Sequence, residues 1–238
     1  GNEWEYAEPS ASESKEGVLK IRISTGEKSR VATEKAKKIC AVSENQMAVL
    51  HMECINEDEI IDNVGMSAVQ AKYWITLYDT EEGKKQWSSV PYTVSGYTIP
   101  ETLLLRDMEI NGELKKVLVV SAKDRIQLID AENGTVIREG IFREDIVNVV
   151  QADKRRLLVG LSDGSVMIGT VEDMSANTEV GSVSGKILDF TFSPEHQQVI
   201  WTMKSGKRLV FGEKQTDQQM KSVNLEKEND VDSVKYTT

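Results

Sequence analysis

Apolar residues recur along the chain in short runs that mostly alternate with polar ones at a period of two. Four runs resemble one another: Met47-Ala48-Val49-Leu50, Val117-Leu118-Val119-Val120, Leu157-Leu158-Val159-Gly160 and Val199-Ile200-Trp201-Thr202. After the last three, a polar turn leads into a second alternating strand. Ser121-Ala122-Lys123-Asp124 precedes Arg125–Asp130, Ser162-Asp163-Gly164 precedes Ser165–Gly169, and Lys204-Ser205-Gly206 precedes Lys207–Phe211. Alternation interrupted by turn residues predicts antiparallel hairpins with one face buried. A third strand is expected after Glu82-Gly83 and after Asn133-Gly134, with an earlier copy of this outer hairpin at Val18–Ile23 and Thr25-Gly26-Glu27. Asn133-Gly134-Thr135 also fits a glycosylation sequon, but Asn-Gly between two strand-like runs is better explained as a tight hairpin turn. A helical turn is expected only at 34–38 or within 55–70.

One more strand precedes each run, at Ile39–Val42, Leu103–Leu105, Ile146–Val150 and Ile187–Phe192. Val117 and Leu157 are 40 residues apart and Leu157 and Val199 are 42 apart. The first interval, from Val49 to Val117, is 68 residues, and the acidic stretch 55–70 accounts for part of the excess as an inserted loop. Four short strands per unit of about 40 residues is the arithmetic of a β-propeller blade. A sandwich also supplies short strands, but not the same order of turns in every unit. The expected fold is therefore all-β, residues 1–238 forming one propeller domain of four-stranded antiparallel blades. The terminal Val231–Tyr236 has the spacing of an innermost strand with no successor, whereas Glu3–Ala7 and Val18–Ile23 lack a predecessor. Together they would make a fifth blade shared by the two termini, removing exposed sheet edges. The alternative is an open fragment of a seven- or eight-bladed ring.

Two propeller families resemble these motifs. Leu161-Ser162-Asp163-Gly164-Ser165-Val166 is similar to the turn of WD-repeat blades, in which an Asp before the third strand ties the hairpin down. Phe192-Ser193-Pro194-Glu195 looks like the turn after their first strand, while Tyr78-Asp79 and Ile129-Asp130 stand where their Trp-Asp pair is expected. The segment from Leu77 to Trp87 resembles the repeat of quinoprotein-like propellers, and Leu128–Thr135 follows the same pattern without the Trp. The resemblance implies a fold, and fold does not fix function.

Composition narrows the function classes. Lys and Arg number 29 against 39 Asp and Glu, a net charge of −10, which argues against a nucleic-acid surface. No apolar run approaches the about 18 residues of a membrane-spanning helix. The chain has two Cys and two His, whose spacing does not suit a zinc site, and no cofactor motif is found. Buried free thiols are expected at Cys40 and Cys54, with a disulfide between them left open. Residues 1–4 carry neither Met nor an apolar leader, which suggests removal of an upstream leader, anchor or domain and leaves the compartment open. Residues 8–16 read as a flexible polar loop.

Channel-lining carboxylates Asp107, Asp189 and Asp232 are the candidates for a small carbohydrate-active hydrolase, against the commoner reading of solvated or blade-bonded side chains. His51 is expected as a satisfied core histidine and His196 as solvent-facing. Trp74, Trp87 and Trp201 are expected between blades. Glu57-Asp58-Glu59-Ile60-Ile61-Asp62 is the candidate docking loop for a basic partner. The favoured function is a non-catalytic scaffold or sensor module, part of a longer protein, that binds a protein or peptide. A third reading is an assembly subunit whose open edge another chain completes.

Overall fold

Strands buried on both faces need continuous apolar runs, and the repeated runs occupy that position. The computed structural model describes residues 4–7, 17–31, 33–55, 70–95, 101–174, 178–182, 187–193, 198–203, 208–212 and 221–223, with side chains up to Glu179 other than those of Trp4 and Thr178. A three-stranded sheet comprises β1 (Trp4–Ala7), β2 (Val18–Arg22) and β3 (Lys28–Val31). The second sheet runs β4 (Ala36–Ser43), β5 (Gln46–Cys54), β6 (Gln70–Asp79) and β7 (Lys85–Ser88), and β8 (Tyr92–Ser95) also pairs with β6. The third is β9 (Glu101–Ile110), β10 (Glu113–Ala122), β11 (Arg125–Asp130) and β12 (Val136–Ile141). The fourth is β13 (Ile146–Gln151), β14 (Arg156–Leu161), β15 (Ser165–Thr170) and β16 (Thr178–Ser182). The fifth is β17 (Ile187–Ser193), β18 (Gln198–Met203), β19 (Arg208–Gly212) and β20 (Lys221–Val223). Neighbouring strands are antiparallel throughout.

The sheets stack face to face. Val18 and Val31 of the first pack on Met47 and Val49 of the second. Leu50, Ile75 and Leu77 meet Leu118, Val120 and Ile129, while Val119, Ile126 and Leu128 meet Val149, Leu157 and Val159. Because side chains alternate, Val119 and Val120 serve opposite interfaces, which is why both must be apolar. Each fully buried Val or Leu contributes about 1.5–3 kcal/mol. The first strands lie side by side, β4 on β9, β9 on β13 and β13 on β17, the radial arrangement of propeller blades.

The expected hairpins at Val18, Val117, Leu157 and Val199 are all present. The first sheet holds three N-terminal strands, as the split-blade reading requires; its proposed fourth strand, Val231–Tyr236, lies outside the described residues, as do 8–16 and 56–69. One expectation is corrected, and the expected Asn133-Gly134 turn is present between β11 and β12 with a different backbone. Residues 36–38 begin strand β4 rather than a helical turn, since Ala36 pairs with His51 and Lys38 with Leu50. At Asn133-Gly134 only Gly134 takes a positive φ, with Asn133 Oδ1 accepting from the Thr135 amide at 2.9 Å. The Asn-Gly pair with both residues at positive φ is Asn111 (54°) and Gly112 (84°), which turns β9 into β10.

Both cysteines are free. Cys40 sits level with Ala48 of β5, and Cys54 lies at the far end of that strand, a separation of about 20 Å along the ladder at 3.3–3.4 Å per residue. Burial pushes the Cys40 thiol above its ordinary pKa.

Candidate functional site

The strand ends form two faces. One carries the β4–β5, β6–β7, β9–β10, β11–β12, β13–β14 and β15–β16 turns. There the Asp of each expected motif closes a turn. Asp79 Oδ1 accepts from the amides of Glu81 and Glu82 at 2.9 Å each, and Asp130 Oδ1 accepts from that of Glu132 at 2.9 Å. The bonds from the Glu82 and Glu81 amides hold the Asp79 carboxyl below its ordinary pKa. Among the described residues, these turns also lock the first sheet to the second, the second to the third and the third to the fourth. Lys20 Nζ, buried on β2, donates to the Thr80 carbonyl at 3.3 Å. Trp87 Nε1 on β7 donates to the Ala131 carbonyl at 3.3 Å, and Arg138 Nε on β12 to the Glu172 carbonyl at 3.2 Å. Trp87 and Arg138 hold the same register position, opposite Leu77 and Leu128. One carbonyl in each turn thus takes a donor from the preceding sheet, and Trp87 packs between sheets as expected.

On the same face β9 and β10 continue past the end of β11, whose pairing with β10 stops at Val117 and Asp130. Four further pairs, Asp107–Lys116 to Ile110–Glu113, make an extended hairpin. It rests on the fourth sheet: the Glu109 amide donates to the Lys154 carbonyl at 2.7 Å, and Gln151 Nε2 to the Asp107 carbonyl at 2.9 Å. Met108 and Ile110 are buried there. Beside the hairpin, a cleft of about 320 Å³ is lined by Val42, Gln46, Lys115, Lys116, Asp130 and Glu132, among others. One sheet further on, an equivalent cleft of about 600 Å³ holds Asp153, Lys154, Arg155, Arg156 and Glu172. Asp107 is exposed on this extension, not within the body of the inner strand. Asp189 is on β17, but its side chain, like all of Asp232, lies outside the described residues.

The opposite face carries the ends of β5 and β6 that flank the insertion, and the turns into β11 and β15. Asp163, singled out by its WD-repeat-like turn, accepts from the Ser165 amide at 2.9 Å, from the Ser165 hydroxyl and from Arg143 Nη2 at 3.2 Å. Burial opposes ionisation there, but the Ser165 and Arg143 bonds outweigh it and hold the carboxyl below its ordinary pKa. Arg143 also bonds Glu179 Oε2 at 2.8 Å. In the third sheet Arg125 bonds Glu139, at the position equivalent to Glu179, at 2.7 Å. Tyr73 donates to Glu101 across the sheet interface at 2.6 Å, and burial is the first cause raising its phenol pKa. Below the insertion, Cys54 pairs with Ala71 and the Ile55 amide donates to the Gln70 carbonyl at 2.9 Å. Glu57-Asp58-Glu59-Ile60-Ile61-Asp62 itself lies outside the described residues, as does His196.

His51 is half satisfied. Its Nδ1–H donates to the Glu34 carbonyl and its ring stacks on Trp74 with centroids 5.0 Å apart, but Nε2 has no partner among the described residues. Trp74 therefore stacks within its own sheet; the Trp201 side chain is outside the described set. Burial pulls the imidazole below its ordinary 6.5, against the Glu34 bond. The unfolded chain takes up this proton as pH falls through 6.5 while the folded chain resists it. Stability is thus expected to fall below pH 6.5, by at most about 1.4 kcal/mol per pH unit. Urea midpoints between pH 5 and 8 that are as flat below pH 6.5 in wild type as in His51→Phe would contradict this.

The extended hairpin and Arg143 were not anticipated. An alternating Met108-Glu109-Ile110 before Asn-Gly was the available signal for the first. Nothing local marks the second, because its partners lie 20 and 36 residues downstream. Among the described residues, no group of three or more His, Cys, Asp or Glu is placed to hold a metal, and no helix is long and apolar enough to cross a membrane.

No protein-family model matches the chain, and no curated protein matches it in sequence. Among solved structures, it is similar to the C-terminal WD40 domain of Sif2, with TM-score 0.53 and 13% identity, covering 82% of this chain and 49% of that one. A structure of a mitotic checkpoint complex matches with TM-score 0.45 and 11% identity, over 79% of this chain and 51% of that one. The first likeness shows the fold, a WD40-like β-propeller. The chain spans about half the length of either structure.

Proposed function

We propose that the chain is a non-catalytic propeller module of a longer protein, a scaffold or sensor that binds a protein or peptide through the acidic insertion at 55–70. The observation that carries this reading is the mounting of that insertion. β7 pairs with β6 only from Thr76 to Tyr78, and β8 takes over the same edge from Gln70 to Tyr73. With β5 on the other side, the base of the insertion sits on a three-stranded platform that no other described sheet possesses. Tyr73 of β6, which donates to Glu101 of the third sheet at 2.6 Å, ties this platform to the neighbouring sheet, and a rigid footing lowers the entropic cost of binding. Glu57, Asp58, Glu59 and Asp62 would supply charge for a basic partner, and Ile60 and Ile61 an apolar anchor.

The test is a random-peptide library panned against the immobilised chain. Enrichment of Lys- and Arg-bearing sequences, lost when Glu57, Asp58, Glu59 and Asp62 are all changed to Lys, is the expected result. A pool without enrichment, or one indifferent to that charge reversal, would overturn the reading.

A further inference from the structure

We infer that the β9–β10 extension is a second docking site, at the opposite end of the sheets from the insertion, which accepts an extended peptide as an added strand. In the β9–β10 ladder, Ile110 and Glu113 flank the two-residue turn and face each other, so backbone groups alternate in direction from there. The Lys116 carbonyl points away from β9, since it accepts from the Ala131 amide at 3.1 Å. By the same alternation the Leu114 N–H and C=O also point away from β9, into the space beyond the end of β11. Beside this stretch lies the 320 Å³ cleft lined by Val42, Gln46, Lys115, Lys116, Asp130, Ala131 and Glu132.

Leu114 is 58% exposed on this open stretch. A strand edge with an exposed Leu is a template for pairing with another chain. The hairpin is fixed by buried Met108 and Ile110 and by its bonds to Lys154 and Gln151, so the edge is held in extended form before any peptide arrives.

Charge selects the occupant. The carboxylates of Glu113 and Glu132 make no side-chain hydrogen bond or ion pair among the described residues, whereas Lys115 is paired with Asp130 at 3.6 Å and Lys116, the other cation of the cleft, stands opposite Asp107 in the β9–β10 ladder. On an added strand, the residue opposite Leu114 faces one side and its neighbour, opposite Glu113, faces the other. The site therefore fits a segment with an apolar residue next to a basic one.

Fluorescein-labelled peptides of alternating valine and lysine, or valine and glutamate, test this by polarisation on the whole chain. The lysine peptide is expected to bind at least tenfold more tightly. Leu114→Lys is expected to weaken it at least fivefold, as is Leu114→Pro, which deletes the outward N–H but no bond to β9. Glu113→Lys should narrow the preference between the two peptides. Val90→Lys, on the other face, should leave binding unchanged, as should charge reversal of the insertion. Equal binding of the two peptides, or binding indifferent to both Leu114 variants with their thermal melts intact, would overturn the inference. Either outcome leaves the insertion-docking reading standing, because that reading is scored by panning on different residues.

Discussion

Gly134→Ala is expected to destabilise the chain by about 2–4 kcal/mol. A Cβ at this position would lie 2.5 Å from Trp87 Cε3, 2.8 Å from Cδ2 and 3.1 Å from Cζ3. The ring cannot swing aside freely, because its N–H is bonded to the Ala131 carbonyl three residues before Gly134. Overpacking of this kind costs about 1–3 kcal/mol, and the φ of 76° adds left-handed strain of about 1 kcal/mol. Gly83 occupies the same turn one sheet earlier, with a φ of 67° but nothing within 4 Å of its virtual Cβ. Gly83→Ala should therefore cost only the strain. The difference between the two substitutions, read from urea midpoints at constant slope, isolates the Trp87 contact. Trp87→Leu combined with Gly134→Ala should recover part of the loss. Equal costs at Gly83 and Gly134 would mean that Trp87 does not press on the turn.

This pair of glycines also marks how far the sequence could be read. Period-two alternation and the spacing of the Val117 and Leu157 runs predicted the sheets, because strands between two others must be apolar on both faces. Trp87 could be placed between sheets, and Asp79, Asp130 and Asp163 in their turns, because these are local signals. The length of the β9–β10 hairpin was missed because only Leu103–Leu105 carries an unbroken apolar run. Beyond it, Asp107 and Glu109 are polar since one face of the hairpin is open. Asp107, a candidate channel carboxylate by its place on an inner strand, lies exposed on this extension. Arg143 could not be found at all, since a surface Arg acquires its meaning only from Asp163 and Glu179, which folding brings to it. The insertion at 55–70 was visible as an interruption of the repeat, and what the fold adds is its platform of β5, β6 and β8.

Gly140→Ala probes the next interface and is expected to cost on the order of 3 kcal/mol, by overpacking against backbone. A Cβ on Gly140 would approach the Met174 carbonyl oxygen to 2.7 Å, its Cβ to 2.9 Å and its carbonyl carbon to 3.0 Å. Gly169, on β15, also faces Met174, but there the near atoms are the side-chain Cε at 2.7 Å and Sδ at 3.2 Å. A thioether end can rotate away and a main chain cannot. Gly169→Ala should thus be mild, and Met174→Ala should relieve it. The same Met174→Ala change should leave Gly140→Ala as damaging as before, since the obstructing carbonyl stays in place. Rescue of both by Met174→Ala would show that the sheets meet through side chains alone and can shift apart at little cost. Met108, Ile110 and Met174 share one buried cluster, so forcing β12 away from Met174 should also loosen the hairpin seated on it. Hydrogen exchange at the Glu109 amide, bonded to the Lys154 carbonyl at 2.7 Å, is expected to quicken in Gly140→Ala and to stay near wild type in Gly83→Ala. Binding at the Leu114 edge would then weaken without any change to the edge itself, because its rigidity is set by the packing of the third sheet on the fourth.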